Sequence, residues 1–407
     1  MKNDLTEWIT RVTGSDFVYY IKRLSGNDTL ANGTHQAGPY IPKDFLLTVF
    51  PALNNNNLLN PDIRFNLNID SHDDMRSIRA IWYNNKFHGG TRNETRLTNF
   101  GGQESALLNP ENTGALTIFA FSLDNNGEAA ECHVWVCKNV PEEDYAEELF
   151  GAVEPGKWKI WSLDESIYAR IIAGKEKEKL DCWLKLSDIP PSWIAKFPTG
   201  ADIIRKTLEL RPAKNLDPDS RLIIRRNCEY EMFRSLEEAI ELPWVKQGFG
   251  SIDEFIAKAQ TVLQRRKSRS GRSLELHIKE IFLEEKLREG MDFSHQPESE
   301  PGKKPDFLFP SEQNYKSAGF ETEKLRMLAI KTTCKDRWRQ ILSEADRIRT
   351  KHLLTLQEGI SENQFREMIT QNVQLVVPEK LIGKYPHSVQ PHLMTIKKFI
   401  SEIRSLK

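Results

Sequence analysis

The stretch KKPDFLFPS at residues 303–311, with RMLAIKTT following at residues 326–333, decides the fold of the second half of this chain. Each contains a short apolar run of the length and composition of a buried strand. Asp306 opens the first run. In the second, Lys331 shares a strand face with Met327 and Ala329, because alternate side chains point the same way. Were the two strands neighbours, a carboxylate and an ammonium would meet at one sheet edge. Around them the apolar spacing is helical, in EYEMFRSLEEAIEL (229–242), SIDEFIAKAQTVLQRR (251–266) and SLELHIKEIFLEEKL (273–287). The second half therefore reads as a mixed α/β domain.

Further out, the pattern changes. The first 140 or so residues are short extended segments, FVYYIKRL, SIRAIWY, ALTIFAFSL and CHVWVCK, divided by turns such as NNNN and NNGE. They predict a mainly β domain. Between the halves, AGKEKEKLDCW (173–183) is highly charged and lacks apolar periodicity. The expected organisation is an N-terminal domain over 1–173, a linker over 174–185 and a C-terminal domain over 186–407, in keeping with a 407-residue length.

Composition narrows the function less. Lys and Arg total 57 against 58 Asp and Glu, so attraction to a polyanion has to come from local clusters. The start, MKNDLTEWITRV, lacks the layout of a signal peptide, and no run approaches the roughly 18 apolar residues of a membrane span. A cytoplasmic protein with no membrane partner is expected. The five scattered cysteines suit a reduced compartment, and Cys132, His133 and Cys137 lack the second pair of a zinc site. Phosphate loops of the GxGxxG or GxxxxGK[ST] type are absent.

Hydrolysis of a phosphodiester needs a divalent ion held by carboxylates, an activated water and a cation near the developing charge. Asp306 and Lys331 supply part of that set and resemble the Asp…(Asp/Glu)-x-Lys core of restriction-type nucleases, in which the acid binds Mg2+. The second acid is missing, since Ala329 stands where it would be. Glu344 offers a replacement: Trp338, Ile341, Leu342, Ala345 and Ile348 recur at helical spacing, which predicts a helix carrying Glu344 beside the strand. A branch of restriction enzymes has this relocation. Glu275, on an earlier helix, is a further carboxylate. Singly, an Asp after Pro is commonly a turn residue and Lys and Glu are usually solvated. Their combination at this spacing outweighs those readings for Asp306 and Lys331.

Three groups of residues suit nucleic acid. Lys335 and Arg337 can donate to guanine and Asp336 can accept from cytosine in a major groove, against the plainer reading of a charged helix start. Between Glu254 and Glu275 lie six basic residues and no acid, including Arg265, Arg266, Lys267, Arg269 and Arg272, a phosphate-contact tract or a solvated helix end. In the N-terminal half, Arg92, Glu94 and Arg96 alternate, so an extended chain puts them on one face for base readout or for surface salt pairing.

These residues sit within strings that resemble the EcoRII-type restriction endonucleases: KSRSGRSLELHIKEIF, KKPDFLFPS, LAIKTTCKDRWRQIL, SEADRI, LQEGIS and KYPHSV in the second half. YIKRLSGNDT, GTHQAGPYIP, TRNETRLT and PENTGALT extend the likeness through the first. The resemblance implies two domains, an N-terminal DNA-binding pseudobarrel and a C-terminal PD-(D/E)xK endonuclease domain. It implies Mg2+-dependent cleavage of double-stranded DNA at 5′-CCWGG by a homodimer, activated by a second, effector copy of the site, with a cognate methyltransferase in the same system. Glu275, Asp306, Lys331 and Glu344 would form the active site, with Asp306 and Glu344 on the metal. Lys335, Asp336 and Arg337 would read the target. His35 and Tyr40 would join Arg92, Glu94 and Arg96 at the effector, and Tyr315 would take part in autoinhibition. The family pattern has lysines where this chain has Gly90 and Thr95. Two other functions compete: a non-cleaving DNA-binding regulator, which the intact Asp306, Lys331 and Glu344 disfavour, and a structure-specific repair nuclease, which has little use for the Lys335–Arg337 triplet.

Overall fold

A computed structural model describes residues 4–33, 38–101, 104–162 and 182–406. The chain divides into two compact units. The first holds residues 1–176 together with 357–366 and 383–391; the second holds 177–356, 367–382 and 392–407.

In the first unit, seven strands form one sheet: β1 (Phe17–Arg23), β2 (Asp62–Ile69), β3 (Asp74–Tyr83), β4 (Glu94–Thr98), β5 (Leu116–Leu123), β6 (Ala129–Val136) and β7 (Trp158–Ser162). Their order is β4-β3-β2-β6-β5-β1-β7, antiparallel except for β2 beside β6. The unit is mainly β, and its sequence shows why. β5, with Leu116 through Phe121 all buried, has apolar cover on both faces. One face packs Phe119 and Phe121 against Phe45 and Phe50 around helix α2 (Lys43–Val49), and the other packs Ile118 and Ala120 against Trp135, Trp8 of α1 (Leu5–Arg11) and Ala146 of α3 (Val140–Phe150). β4 alternates instead, burying Thr95 and Leu97 and leaving Glu94, Arg96 and Thr98 half-buried, as one covered face demands.

The second unit is α/β. Strands β8 (Ser294–His295), β9 (Phe307–Phe309), β10 (Arg326–Lys331), β11 (Lys351–Thr355) and β12 (Val373–Val376) lie in the order β12-β11-β10-β9-β8. β10, β11 and β12 are parallel, and β9 runs antiparallel to both β10 and β8. Long helices α5 (Pro218–Gln247) and α6 (Ile252–Glu284) follow the shorter α4 (Gly200–Leu210), and α7 (Ile396–Ser405) ends the chain. On α6, Leu274, Ile278 and Ile281 fall four and three residues apart and bury one stripe on the sheet. Phe282 beside them packs its ring against Phe293, Phe307, Phe309 and, from α7, Phe399. This packing fixes the C-terminal part of α6, with Glu275 on it, against the strands that carry Asp306 and Lys331.

The thiol expectation needs one correction. Cys182 and Cys228 are joined in a disulfide, while Cys132, Cys137 and Cys334 are free and buried. The reason is local: the segment at 182–184 docks on α5 through hydrogen bonds to Glu231 and Ser235, which brings the two Cα atoms to 5.2 Å. Among the described residues no helix is long and apolar enough to cross a membrane.

Candidate active site and DNA-facing residues

β9 pairs with β10 so that Phe307 faces Leu328 and Leu308 faces Met327. Continuing that register puts Asp306 beside Ala329, and its carboxylate accepts a hydrogen bond from the Ile330 backbone N–H at 2.6 Å. Lys331 ends β10 opposite Thr355 of β11. Strand pairing thus brings the Pro-Asp and the Lys-Thr of the sequence to one edge.

Glu344 reaches the same place by a route the sequence did not predict. No α-helix follows Lys335. A 3-10 helix spans Arg337–Ser343, and Glu344 caps it in an extended conformation with φ −91° and ψ 145°. Ala345 then turns through φ +50°, and the buried Lys351 ammonium donates to the carbonyls of Glu344 and Ala345, each at 2.6 Å. The turn is held by a cation from the next strand rather than by a helical period.

These groups lie within reach of one another's charge. Burial pushes the Asp306 carboxyl up to about 6, with the charge of Glu275 adding to it and the Ile330 N–H, Lys331 and His295 opposing it. Burial pushes Glu344 up to about 7, with Asp306 adding and Lys331 and Lys351 opposing. Oε2 of Glu344 is buried and has no hydrogen-bond partner. An uncompensated acid with an orphaned oxygen beside a second acid fits a divalent cation. Among the described residues no three His, Cys, Asp or Glu side chains form a ready-made cage; two carboxylates completed by water suit an ion that keeps part of its hydration shell.

Sequence reasoning missed His295 and Gln296. Nε2 of His295 lies 2.5 Å from Oε1 of Glu275, and the Gln296 side-chain amide donates to the same oxygen at 2.7 Å. β8 has only two residues, too short for a periodic signal.

The other expectations fare unevenly. Lys335 is buried, Asp336 lies 3.5 Å from Arg339, and Arg337 starts the 3-10 helix half-buried, so the triplet sits on the turn between Lys331 and Glu344. The basic tract on α6 is not a free cationic face. Arg265 pairs with Glu241 at 2.6 Å, Arg266 with Glu237 through two bonds at 2.8 and 2.6 Å, and Arg269 with Glu229 at 2.9 Å. These arginines join α6 to α5, leaving Arg272 exposed and Lys267 half-buried. Tyr315 is buried in a short helix, Glu312–Lys316, and its hydroxyl donates to Glu300. Glu300 also accepts from the Asp346 N–H at 2.9 Å, which ties Tyr315 to the turn after Glu344.

In the first unit, Arg92 and Arg96 flank Glu94 at 2.6 and 3.3 Å. Burial raises the Glu94 carboxyl, but hydrogen bonds and charge from the two arginines outweigh it and hold it below the usual range. Tyr40 is exposed and, with Arg96, Lys22, Asn27 and Lys157, lines a cleft of about 640 Å³. His35 lies outside the described residues, as does residue range 174–181 of the expected linker. Thr95 faces inward, its hydroxyl donating to the Ile41 carbonyl at 3.2 Å, so that position is not on the Arg92–Arg96 face. Gly90 donates its N–H to Asn85 at 2.7 Å, and a Cβ there would meet Asn85 Cβ at 2.8 Å.

Two family models match successive parts of the chain. Residues 13–165 match the family described as "Restriction endonuclease EcoRII, N-terminal", and residues 233–400 match "EcoRII C terminal". The Type II restriction enzyme EcoRII of Escherichia coli is 44% identical over 402 residues, covering 98% of this chain and 97% of its own. Among solved structures, metal-depleted Ecl18kI in complex with uncleaved, modified DNA has 19% identity and a TM-score of 0.44, covering 53% of this chain and 82% of its own. The UbaLAI restriction endonuclease B3 domain with cognate DNA has 19% identity and a TM-score of 0.27, covering 39% and 98%. With both domains matched and that identity over nearly its whole length, the chain belongs to the EcoRII family of Type II restriction endonucleases, site-specific deoxyribonucleases.

Proposed function

We propose that this enzyme cleaves double-stranded DNA at 5′-CCWGG with Mg2+, using Asp306, Glu344, Lys331 and Glu275 in the second unit. The observation that carries the reading is the meeting of Asp306, Glu344 and Lys331 at one sheet edge, with both acids held above their usual range by burial. Restriction endonucleases as a class use a divalent metal. Asp306 and Glu344 would hold it, and once bound it would draw charge from the scissile phosphate and acidify an attacking water. Lys331 places its ammonium beside both acids and would offset the charge developing on phosphorus. Glu275 contributes a third carboxylate, opposite Lys331 in its effect on Asp306. Lys335, Asp336 and Arg337 would read G·C pairs from the turn between the catalytic groups, and Arg272 with Lys267 would touch phosphate.

The first unit would take the effector copy at its cleft, through Tyr40, Arg92, Glu94 and Arg96 with His35, and Tyr315 would help couple that unit to catalysis. The domain limits expected from sequence, 1–173 and 186–407, are carried into this reading. Each chain supplies one catalytic set whereas a duplex has two strands, which favours a homodimer. The end of α5 exposes Trp244 and Val245 and the start of α6 exposes Ile252 and Phe255, an apolar surface on which a second copy would close. A cytoplasmic setting, with a methyltransferase protecting host sites, completes the reading.

The test is incubation of the purified protein with multi-site plasmid, with and without Mg2+, followed by sequencing of the ends. Discrete ends at 5′-CCWGG only with Mg2+ are expected. Ends at another sequence refute the site, and intact plasmid in every condition refutes the catalytic reading.

A further inference from the structure

Glu275 projects from the C-terminal third of helix α6, whose neighbouring turns are packed into the core, yet its carboxylate is anchored from a different element. Nε2 of His295 and the side-chain amide of Gln296 both converge on Oε1, at 2.5 and 2.7 Å. A carboxylate only accepts, so His295 must donate from Nε2, which fixes its tautomer. Both side chains are nearly buried, with 12% of His295 and 9% of Glu275 exposed. The imidazole is itself fixed: His295 pairs with Phe307 across β8 and β9, and its ring stacks on that of Phe307 at 5.2 Å and 27°.

Gln296 adds a second restraint. It adopts φ +50°, an unusual conformation for a residue with a side chain, and its backbone N–H donates to the carbonyl of Asp306 at 2.9 Å. One dipeptide therefore grips the Glu275 carboxylate with its side chains and the Asp306 peptide with its backbone.

We propose that His295 and Gln296 are positioning residues that hold Oε1 of Glu275, so that Oε2 is the oxygen presented to the reaction beside Asp306. The proposal rests on the catalytic reading above. Two donors on one oxygen leave the other as the stronger free acceptor, and they set the carboxylate plane without supplying a group to the substrate. Partners of this kind, acting through a functional group, typically contribute about 10–100-fold to activity.

The experiment is single-turnover cleavage by the full-length protein at saturating DNA and Mg2+, with cognate binding measured separately in chelator. His295→Ala and Gln296→Ala are each compared with Glu275→Gln and with the double variants. Expected is a 10–100-fold loss of rate for His295→Ala, a smaller loss for Gln296→Ala, and cognate binding within about twofold of wild type. His295→Gln, which keeps an N–H donor, should recover part of the rate. In the Glu275→Gln background, His295→Ala should cost less than about threefold, because the group it positions is already altered. A wild-type rate for both alanine variants, or losses that multiply with Glu275→Gln, overturns the proposal. Should His295→Ala fail to fold, the Gln296→Ala cycle decides by the same criterion. Asp306→Ala is the control: cleavage by that variant refutes the catalytic reading itself, whereas its inactivity beside an unaffected His295→Ala refutes only the positioning role.

Discussion

Helix α6 carries two acid-rich environments along its length, and they are built in opposite ways. Toward its middle, Glu229, Glu237 and Glu241 from α5 are each met by arginines of α6, and Lys258 adds a second cation to Glu241 at 2.6 Å. Burial raises the Glu241 carboxyl, but Lys258 and Arg265 outweigh it and bring it below the usual range. Further along, Glu275, Asp306 and Glu344 share a neighbourhood with Lys331, and there burial wins, lifting Asp306 to about 6 and Glu344 to about 7. Where the protein needs packing it neutralises its buried acids. Where it needs a cation it leaves them short of charge.

The sharpest way to break that contrast is to remove a member of the under-compensated set. Asp306→Ala and Lys331→Ala should each lower the cleavage rate on the order of 10⁴-fold, about 5.5 kcal/mol of barrier, with melting temperature little changed. Measured rates near wild type would show that the crowded acids are not the catalytic ones. The compensated set should behave in the reverse manner. Glu229→Ala removes the buried carboxylate shared by Arg269 and Arg226, and should cost about 3–5 kcal/mol of stability while sparing the rate at temperatures where the variant is folded. A chemical denaturation midpoint unchanged from wild type would mean that the α5–α6 pairs are ornamental.

Specificity offers a third contrast, between Arg337 on the turn beside the site and the paired arginines of α6. Arg337→Ala should weaken cognate binding by about 1–3 kcal/mol and leave random DNA unaffected, as for one lost bidentate base contact. Equal weakening on both DNAs, in a fluorescence titration, would make Arg337 a phosphate contact.

The imbalance itself has a pH signature in metal-free protein. Raised carboxyl values mean that the native state binds protons more readily than the unfolded chain between about 4.5 and 7, so stability falls as pH rises through that window. With chelator present, wild type should lose about 1–2 kcal/mol relative to Glu344→Gln between pH 5 and 8, a figure reduced for the partial exposure of the site. Parallel stability profiles for the two proteins would remove the electrostatic argument for a cation between Asp306 and Glu344.

What could be read from sequence divides along the same line. Asp306 and Lys331 were legible because strand alternation and a short antiparallel pairing determine where they stand. Glu344 was legible as a residue but not as a conformation: helical spacing of Trp338, Ile341 and Ala345 was real, yet Lys351, a later residue, captures the carbonyls and turns the chain out of the helix. The α6 arginines looked like a phosphate tract because their partners lie 24, 29 and 40 residues earlier on α5, a separation no local pattern reveals. Thr95 illustrates the limit for surfaces. The family pattern's lysine there implies a lost charge at the effector face, whereas the strand's alternation turns Thr95 inward.

The smallest expected effect follows from the corrected arginines and separates them from one another. Counterion release makes the salt slope of DNA binding a count of phosphates neutralised, at about 0.9 per contact. An arginine already neutralised by a buried glutamate would have to break that pair to reach a phosphate, giving up on one side what it gains on the other. Arg266, held by two bonds to Glu237, should therefore contribute nothing to the slope, and the charge-removing Arg266→Gln should leave it unchanged. Arg272, exposed three residues before Glu275 on the same helix, carries no such partner among the described residues and is the arginine of α6 closest in sequence to Glu275. Arg272→Ala should reduce the slope by roughly one unit without altering the preferred sequence. Binding isotherms across a range of salt concentrations decide it: a reduced slope for Arg266→Gln, or an unchanged one for Arg272→Ala, would reverse the assignment of structural and DNA-facing arginines along α6.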